Sequence, residues 1–159
     1  MSYLWIETEK WKSPLQKENY PVCQNLPQPD DYVTIAETDA SWIEAHPEVP
    51  LRGTCYVMSK MHAVELFDLS DEEAFAFLKD VMMTAKALKY VTGAEKINYE
   101  IHGNTVPHLH MHLYPRYLEN DQFRNGPIDP SKIKNPVYLG DEFSKYIEAM
   151  RESLSSALP

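Results

Sequence analysis

Pro107-His108-Leu109-His110-Met111-His112-Leu113-Tyr114-Pro115-Arg116 alternates imidazole with apolar side chains over six consecutive positions. Successive side chains of a β-strand point to opposite faces, so the alternation predicts a strand. His108, His110 and His112 then share one face, and Leu109, Met111 and Leu113 share the other. The apolar row needs only a core to cover it. A row of imidazoles has no such packing reason. Half of the six histidines of the chain converge on this patch, and that concentration points to chemistry.

Working outward, Lys96 to His102 also alternates, and Gly103-Asn104 marks a turn, so these residues and the histidine run read as an antiparallel hairpin. Upstream, Ser70-Asp71-Glu72-Glu73 is a capping box. Ala74, Phe75, Leu78, Val81, Met82, Ala85 and Leu88 follow at helical spacing and predict a core-facing stripe, with Gly93 as the stop. Tyr32 to Thr38 reads as the first strand, Asp39-Ala40 as a turn, and Ser41 to Glu44 as a short continuation or edge strand. Pro47, Pro50 and Gly53 bound a loop before a buried strand over Thr54 to Met58. A last amphipathic helix is predicted over roughly Asp141 to Leu154. Strands, one long helix, two strands and a helical tail make an α+β domain with an antiparallel sheet.

The organisation expected is a proline-dotted arm over 1–31, a core domain over 32–117, and a C-terminal extension over 118–159 packed on the same domain. With 159 residues, 43% hydrophobic and 25% charged, the chain suits one domain with a real core. A net charge of −9 argues against a general affinity for nucleic acid, which needs a basic face. It leaves a small anionic ligand open. No signal-peptide core or membrane-spanning apolar stretch is seen, and Cys23 and Cys55 form no close pair. The expectation is a cytoplasmic protein with free thiols.

Three chemistries compete for the histidine row. Metal binding is open to two histidines at i and i+2, but the third lies about 13 Å from the first by strand rise. A pH-sensing cluster would charge near pH 6, yet leaves the flanking Gly103-Asn104-Thr105-Val106-Pro107 unexplained. Nucleophilic catalysis would use a neutral imidazole nitrogen held in one tautomer, with its neighbours binding the oxygens of a phosphoryl group. Spacing alone does not choose among them.

His108-Leu109-His110-Met111-His112-Leu113-Tyr114 resembles the signature of the histidine triad (HIT) superfamily, three histidines alternating with apolar residues. The likeness extends over Gly103 to Arg116, with the Pro-Arg exit of hydrolase-type members, and over Gly53 to Leu66, where a strand ends in a lysine and then a histidine. The phosphorylase-like branch carries glutamine at the third position, where this chain has His112. The resemblance implies a HIT-like fold: an antiparallel sheet of about five strands, one long helix across it, a C-terminal helix, and usually a homodimer. It implies a nucleotide hydrolase that cleaves nucleoside phosphoramidates or dinucleoside polyphosphates at the α-phosphate, with a purine nucleotide conjugate as substrate. The alternatives are nucleotidyl transfer to an acceptor other than water, and a non-catalytic nucleotide-binding or scaffold protein.

Residue by residue, the likeness makes His110 the nucleophile that carries a nucleotidyl-histidine intermediate. His108 and His112 would bind phosphate oxygens, and the His112 carbonyl would orient the His110 ring. His62 would stand near the phosphate, Asn104 would contact the phosphate or leaving group, and Asp39 would bind the ribose. The ordinary alternatives are a surface histidine at His62, backbone geometry at Asn104 and a turn at Asp39. Arg116 is either a phosphate clamp or a structural ion pair. The Cys-x-x-Cys zinc pair of some relatives is absent, so neither a metal nor a cofactor is expected.

Overall fold

The computed structural model describes residues 32–103, 107–129, 132–133 and 136–156. The expected arm over 1–31 and Asn104 lie outside them. The described elements are β1 (Val33–Glu37), β2 (Ser41–Ala45), β3 (Cys55–Ser59), a 3₁₀ turn (Leu66–Asp68), α1 (Asp71–Thr92), β4 (Lys96–Ile101), β5 (His110–Arg116) and α2 (Glu142–Ser155). The strands form one antiparallel sheet in the order β1-β2-β3-β5-β4, the α+β arrangement that the resemblance implies. Among the described residues, no helix is long and apolar enough to cross a membrane.

Two details correct the expectation from sequence. Residues 41–45 are not an edge: β2 is hydrogen-bonded to β1 on one side and β3 on the other. The histidine run is not one strand throughout, because β5 begins at His110. Just before it, Leu109 is held outside the regular ladder: its amide donates to Ala63 and its carbonyl accepts from Ser59. His108 thus turns off the sheet into the segment that follows β3.

The long helix forms where its caps demand. The Ser70 amide donates to Glu73 Oε2 at 2.8 Å and the Glu73 amide to Ser70 Oγ at 3.4 Å. Gly93 closes the helix with a left-handed φ of 66°, a conformation that favours glycine. Its buried face is Phe77, Val81, Thr84, Ala85 and Leu88, and it packs on Ile43, Val57, Met111 and Leu113 of the sheet. Each large apolar side chain so buried contributes on the order of 1.5–3 kcal/mol. Two members of the predicted stripe fall outside this face: Phe75 is 73% exposed and Met82 56%. They flank the stripe, which is narrower than hydrophobicity alone indicates. Helix α2 packs Tyr146, Ile147, Met150 and Leu154 against α1 and β1, so the C-terminal extension completes the same core.

Candidate active site

Register places the site. Met58 of β3 faces His110 and Tyr56 faces His112, so the two imidazoles rise from the sheet face opposite α1. On that face the His112 ring is enclosed on several sides. Tyr56 stands edge-on at 5.0 Å between ring centroids, His102 edge-on at 5.2 Å, and His110 tilted at 4.8 Å. The His62 ring lies 5.8 Å from that of His108. The structure therefore brings His62, His108, His110 and His112 together. It leaves Asp39 exposed in the β1–β2 turn, where no hydrogen bond ties it to an imidazole among the described residues.

Hydrogen bonds decide where each ring carries its proton, because a backbone carbonyl can only accept. His108 is buried, and its Nε2 lies 2.7 Å from the Ser59 carbonyl oxygen, so the proton sits on Nε2 and is donated there. The Nδ1 of His110 lies 2.7 Å from the carbonyl oxygen of His108. That bond puts the proton on Nδ1 and leaves Nε2 of His110 as a bare lone pair. The orienting carbonyl is thus that of His108, two residues back, and not that of His112. The Nδ1 of His112 lies 2.9 Å from the Tyr114 hydroxyl. Its Nε2 is buried without a hydrogen-bond partner among the described residues.

Burial keeps all three rings neutral, because a low-dielectric site disfavours the charged form. It holds His108 down to about 4, against the pull of its bond to Ser59, with His62 and His110 adding to the depression. It holds His112 down to about 3, with His110 and His102 adding to the effect. His110 is lowered too, by burial first and then by His102, while the His108 carbonyl opposes. A neutral, oriented imidazole beside an unpartnered ring nitrogen is an arrangement that can attack an electrophile and receive an anion. Among the described residues, no three histidine, cysteine or carboxylate side chains group as a metal ion requires.

Arg116 takes its structural alternative. Its Nε donates to Asp121 Oδ2 at 2.7 Å, and its other nitrogens reach the carbonyls of Phe123 and Gly126. This folds the segment after β5 back so that Phe123 packs on Tyr114 and Leu51. The sequence reading also missed several residues of the site. Tyr56, Tyr114 and His102 pack about His112. Glu44 lies in the same cross-strand row as Tyr56 and His112, buried, with Oε2 unpartnered among the described residues and its carboxyl raised by burial. Tyr114 was visible in principle, two positions beyond His112 on the same face. The others depend on strand pairing that alternation does not specify.

Comparison with known proteins agrees with this geometry. Residues 29–119 match the model of the HIT domain. The chain is 31% identical over 129 residues to adenosine 5'-monophosphoramidase hnt1 of Schizosaccharomyces pombe, covering 73% of this chain and 89% of that protein. Among solved structures, a histidine triad protein from Bradyrhizobium japonicum superposes with a TM-score of 0.67 at 22% identity, covering 79% of this chain and 92% of that one. A histidine triad protein from Marinobacter aquaeolei gives 0.67 at 19% identity, covering 80% and 92%. The match to the family model over more than half of its residues makes this chain a member of the HIT domain family.

Proposed function

We propose that the chain is a nucleotide hydrolase that cleaves nucleoside phosphoramidates or dinucleoside polyphosphates at the α-phosphate. The observation that carries this reading is the 2.7 Å bond from His110 Nδ1 to the His108 carbonyl, which leaves the other ring nitrogen unprotonated. In the first step that nitrogen attacks the α-phosphorus. An N–P bond forms, the bond to the leaving group breaks, and the leaving group departs with the electron pair and takes up a proton. In the second step a water oxygen attacks the same phosphorus. The N–P bond breaks, its electron pair returns to His110, and the proton of the water is released.

The remaining residues take roles that fit their surroundings. His112 offers Nε2 to the phosphate oxygens. His108 serves through its carbonyl, while its ring, pinned to Ser59, holds the turn that aims that carbonyl. His62, beside His108, flanks the phosphate. The phosphate role of Asn104 rests on the family likeness. A ribose role for Asp39 rests on it too, and requires a nucleoside lying across β3 and β2 toward the β1–β2 turn. The name of the S. pombe relative supports an adenosine phosphoramidate as substrate. The buried free thiol of Cys55 suits a reducing cytoplasm.

We also propose a homodimer. Tyr99 and Ile101 of the edge strand β4 lie on the α1 side of the sheet, opposite Leu113 and Met111, yet are 51% and 40% exposed. Phe75 and Met82 of α1 are exposed apolar side chains as well, and a second copy would supply cover for such groups.

Rapid mixing with an adenosine phosphoramidate and with diadenosine tetraphosphate, read by intact-protein mass spectrometry, tests the hydrolase reading. One added AMP on the wild type and none on His110→Ala is the expected result. Absence of both adduct and released AMP overturns the reading.

A further inference from the structure

We propose that Tyr114 is a positioning residue whose hydroxyl donates to His112 Nδ1, so that the ring of His112 carries its proton on Nε2 and presents an N–H to the phosphoryl oxygens. This rests on the hydrolase reading for its catalytic consequence, and on the geometry for the hydrogen bond itself. The hydroxyl lies 2.9 Å from Nδ1, and Tyr114 stands two residues beyond His112 on the same face of β5. Two arrangements satisfy that distance. If the ring donated, the phenolic hydrogen would be left without an acceptor in a buried site, since the hydroxyl makes no other hydrogen bond among the described residues. Nε2 would then also be a buried bare lone pair, facing the oxygens of an anion. If the hydroxyl donates, it is satisfied, and only one donor is left unpartnered, at Nε2. A bound phosphoryl oxygen would complete that donor.

The surroundings hold both partners in the required states. Burial, and secondarily the Glu100 carboxylate, push the ionisation of Tyr114 up, so the hydroxyl keeps its proton. Burial first, then His110 of its own strand and His102 just beyond β4, keep His112 neutral, while Tyr56 of β3 and Glu100 of β4 also face it. A neutral ring has one proton to place, and its partner at Nδ1 decides where. Mechanical support comes from the loop after β5. The Arg116–Asp121 pair folds it back, and Phe123 and Leu51 then pack on the Tyr114 ring. The segment beyond the histidines therefore acts on the site through one hydroxyl.

The test reads the tautomer directly. Long-range ¹H–¹⁵N correlation spectra of the full chain without substrate are recorded for wild type and Tyr114→Phe, with His112→Gln to assign the ring. The expected wild-type pattern is the Nε2–H tautomer, giving way to a mixture or to Nδ1–H in Tyr114→Phe. In the same variant kcat should fall by roughly tenfold to a hundredfold with KM little changed, as a donor to transition-state charge is partly withdrawn. A wild-type His112 in the Nδ1–H form overturns the proposal whatever the activity. So does a Tyr114→Phe protein with an unchanged tautomer, or with unchanged kcat. A wild type that turns over no nucleotide sinks the hydrolase reading and the catalytic role with it, while the spectra still decide the hydrogen bond.

Discussion

The ring of His110 is held by the backbone of His108, through a bond of 2.7 Å from Nδ1 to the carbonyl oxygen. The regular ladder of β5 starts only at His110, and the residue before it pairs with Ser59 and Ala63 instead. The His110 ring is thus oriented by a main-chain group that no substitution at position 108 removes.

His108→Ala separates that carbonyl from the imidazole. The variant should retain a measurable part of wild-type kcat, whereas His110→Ala should lose about a thousandfold or more as the nucleophile itself disappears. Losing the ring that donates to Ser59 should still cost about 1–3 kcal/mol in urea unfolding, because it leaves a buried carbonyl unsatisfied. Equal kcat losses in the two variants would place the imidazole of His108 in the chemistry.

Stability should fall on acidification below neutrality. The unfolded histidines take up protons near the ordinary value of 6.5, while folded His108 holds out to about 4 and folded His112 to about 3. Between those limits the unfolded state binds more protons, so unfolding free energy rises with pH across the window and levels off above it. His110 shifts in the same direction, and Glu44, raised by burial, opposes as a single group. Urea midpoints at pH 4.5 and pH 7.5 measure the difference. A higher midpoint at pH 4.5 would contradict neutral buried rings.

Arg116 and Asp121 are an ion pair in which Arg116 is 9% exposed and Asp121 fully buried. Arg116→Ala strands the carboxylate in the interior and should cost about 3–5 kcal/mol. The double replacement Arg116→Met, Asp121→Leu should restore much of that loss in denaturant titrations. Failure of the double variant to recover would mean that the bonds from Arg116 to the Phe123 and Gly126 carbonyls matter more than the charge pair.

Association is tested at β4, the edge strand among the described residues. Tyr99→Lys with Ile101→Lys places charges on exposed positions of β4, so the folded subunit should tolerate them. Sedimentation equilibrium should show the wild type at twice the subunit mass and the double variant at one. A monomeric wild type at micromolar concentration would remove the dimer from the proposal.

Much of this protein was present in local pattern. Alternation at 108–113 and at 96–102 set out two strands, and the Ser70–Glu73 box with Gly93 bounded the long helix to within a residue at each end. These signals are local because capping and alternation are interactions between near neighbours in sequence. The same range of interaction explains what was missed. The stripe on α1 looked wider than its buried face, since hydrophobicity does not say how far a sheet extends beneath a helix, and Phe75 and Met82 fell outside.

The three imidazoles themselves were determined by sequence; their unequal surroundings were decided only by the fold. Pairing of β5 with β3 brings the Ser59 carbonyl to His108 and the Tyr56 ring to His112, across separations of 49 and 56 positions that no periodicity encodes. Ionisation behaves likewise. An isolated histidine strand would titrate near its ordinary value, and it is burial beneath tyrosines and neighbouring rings that keeps these neutral. Residue types supply the available donors, acceptors and titratable rings. Long-range packing decides which nitrogen holds the proton, because desolvation and hydrogen-bond partners exist only once distant strands have met.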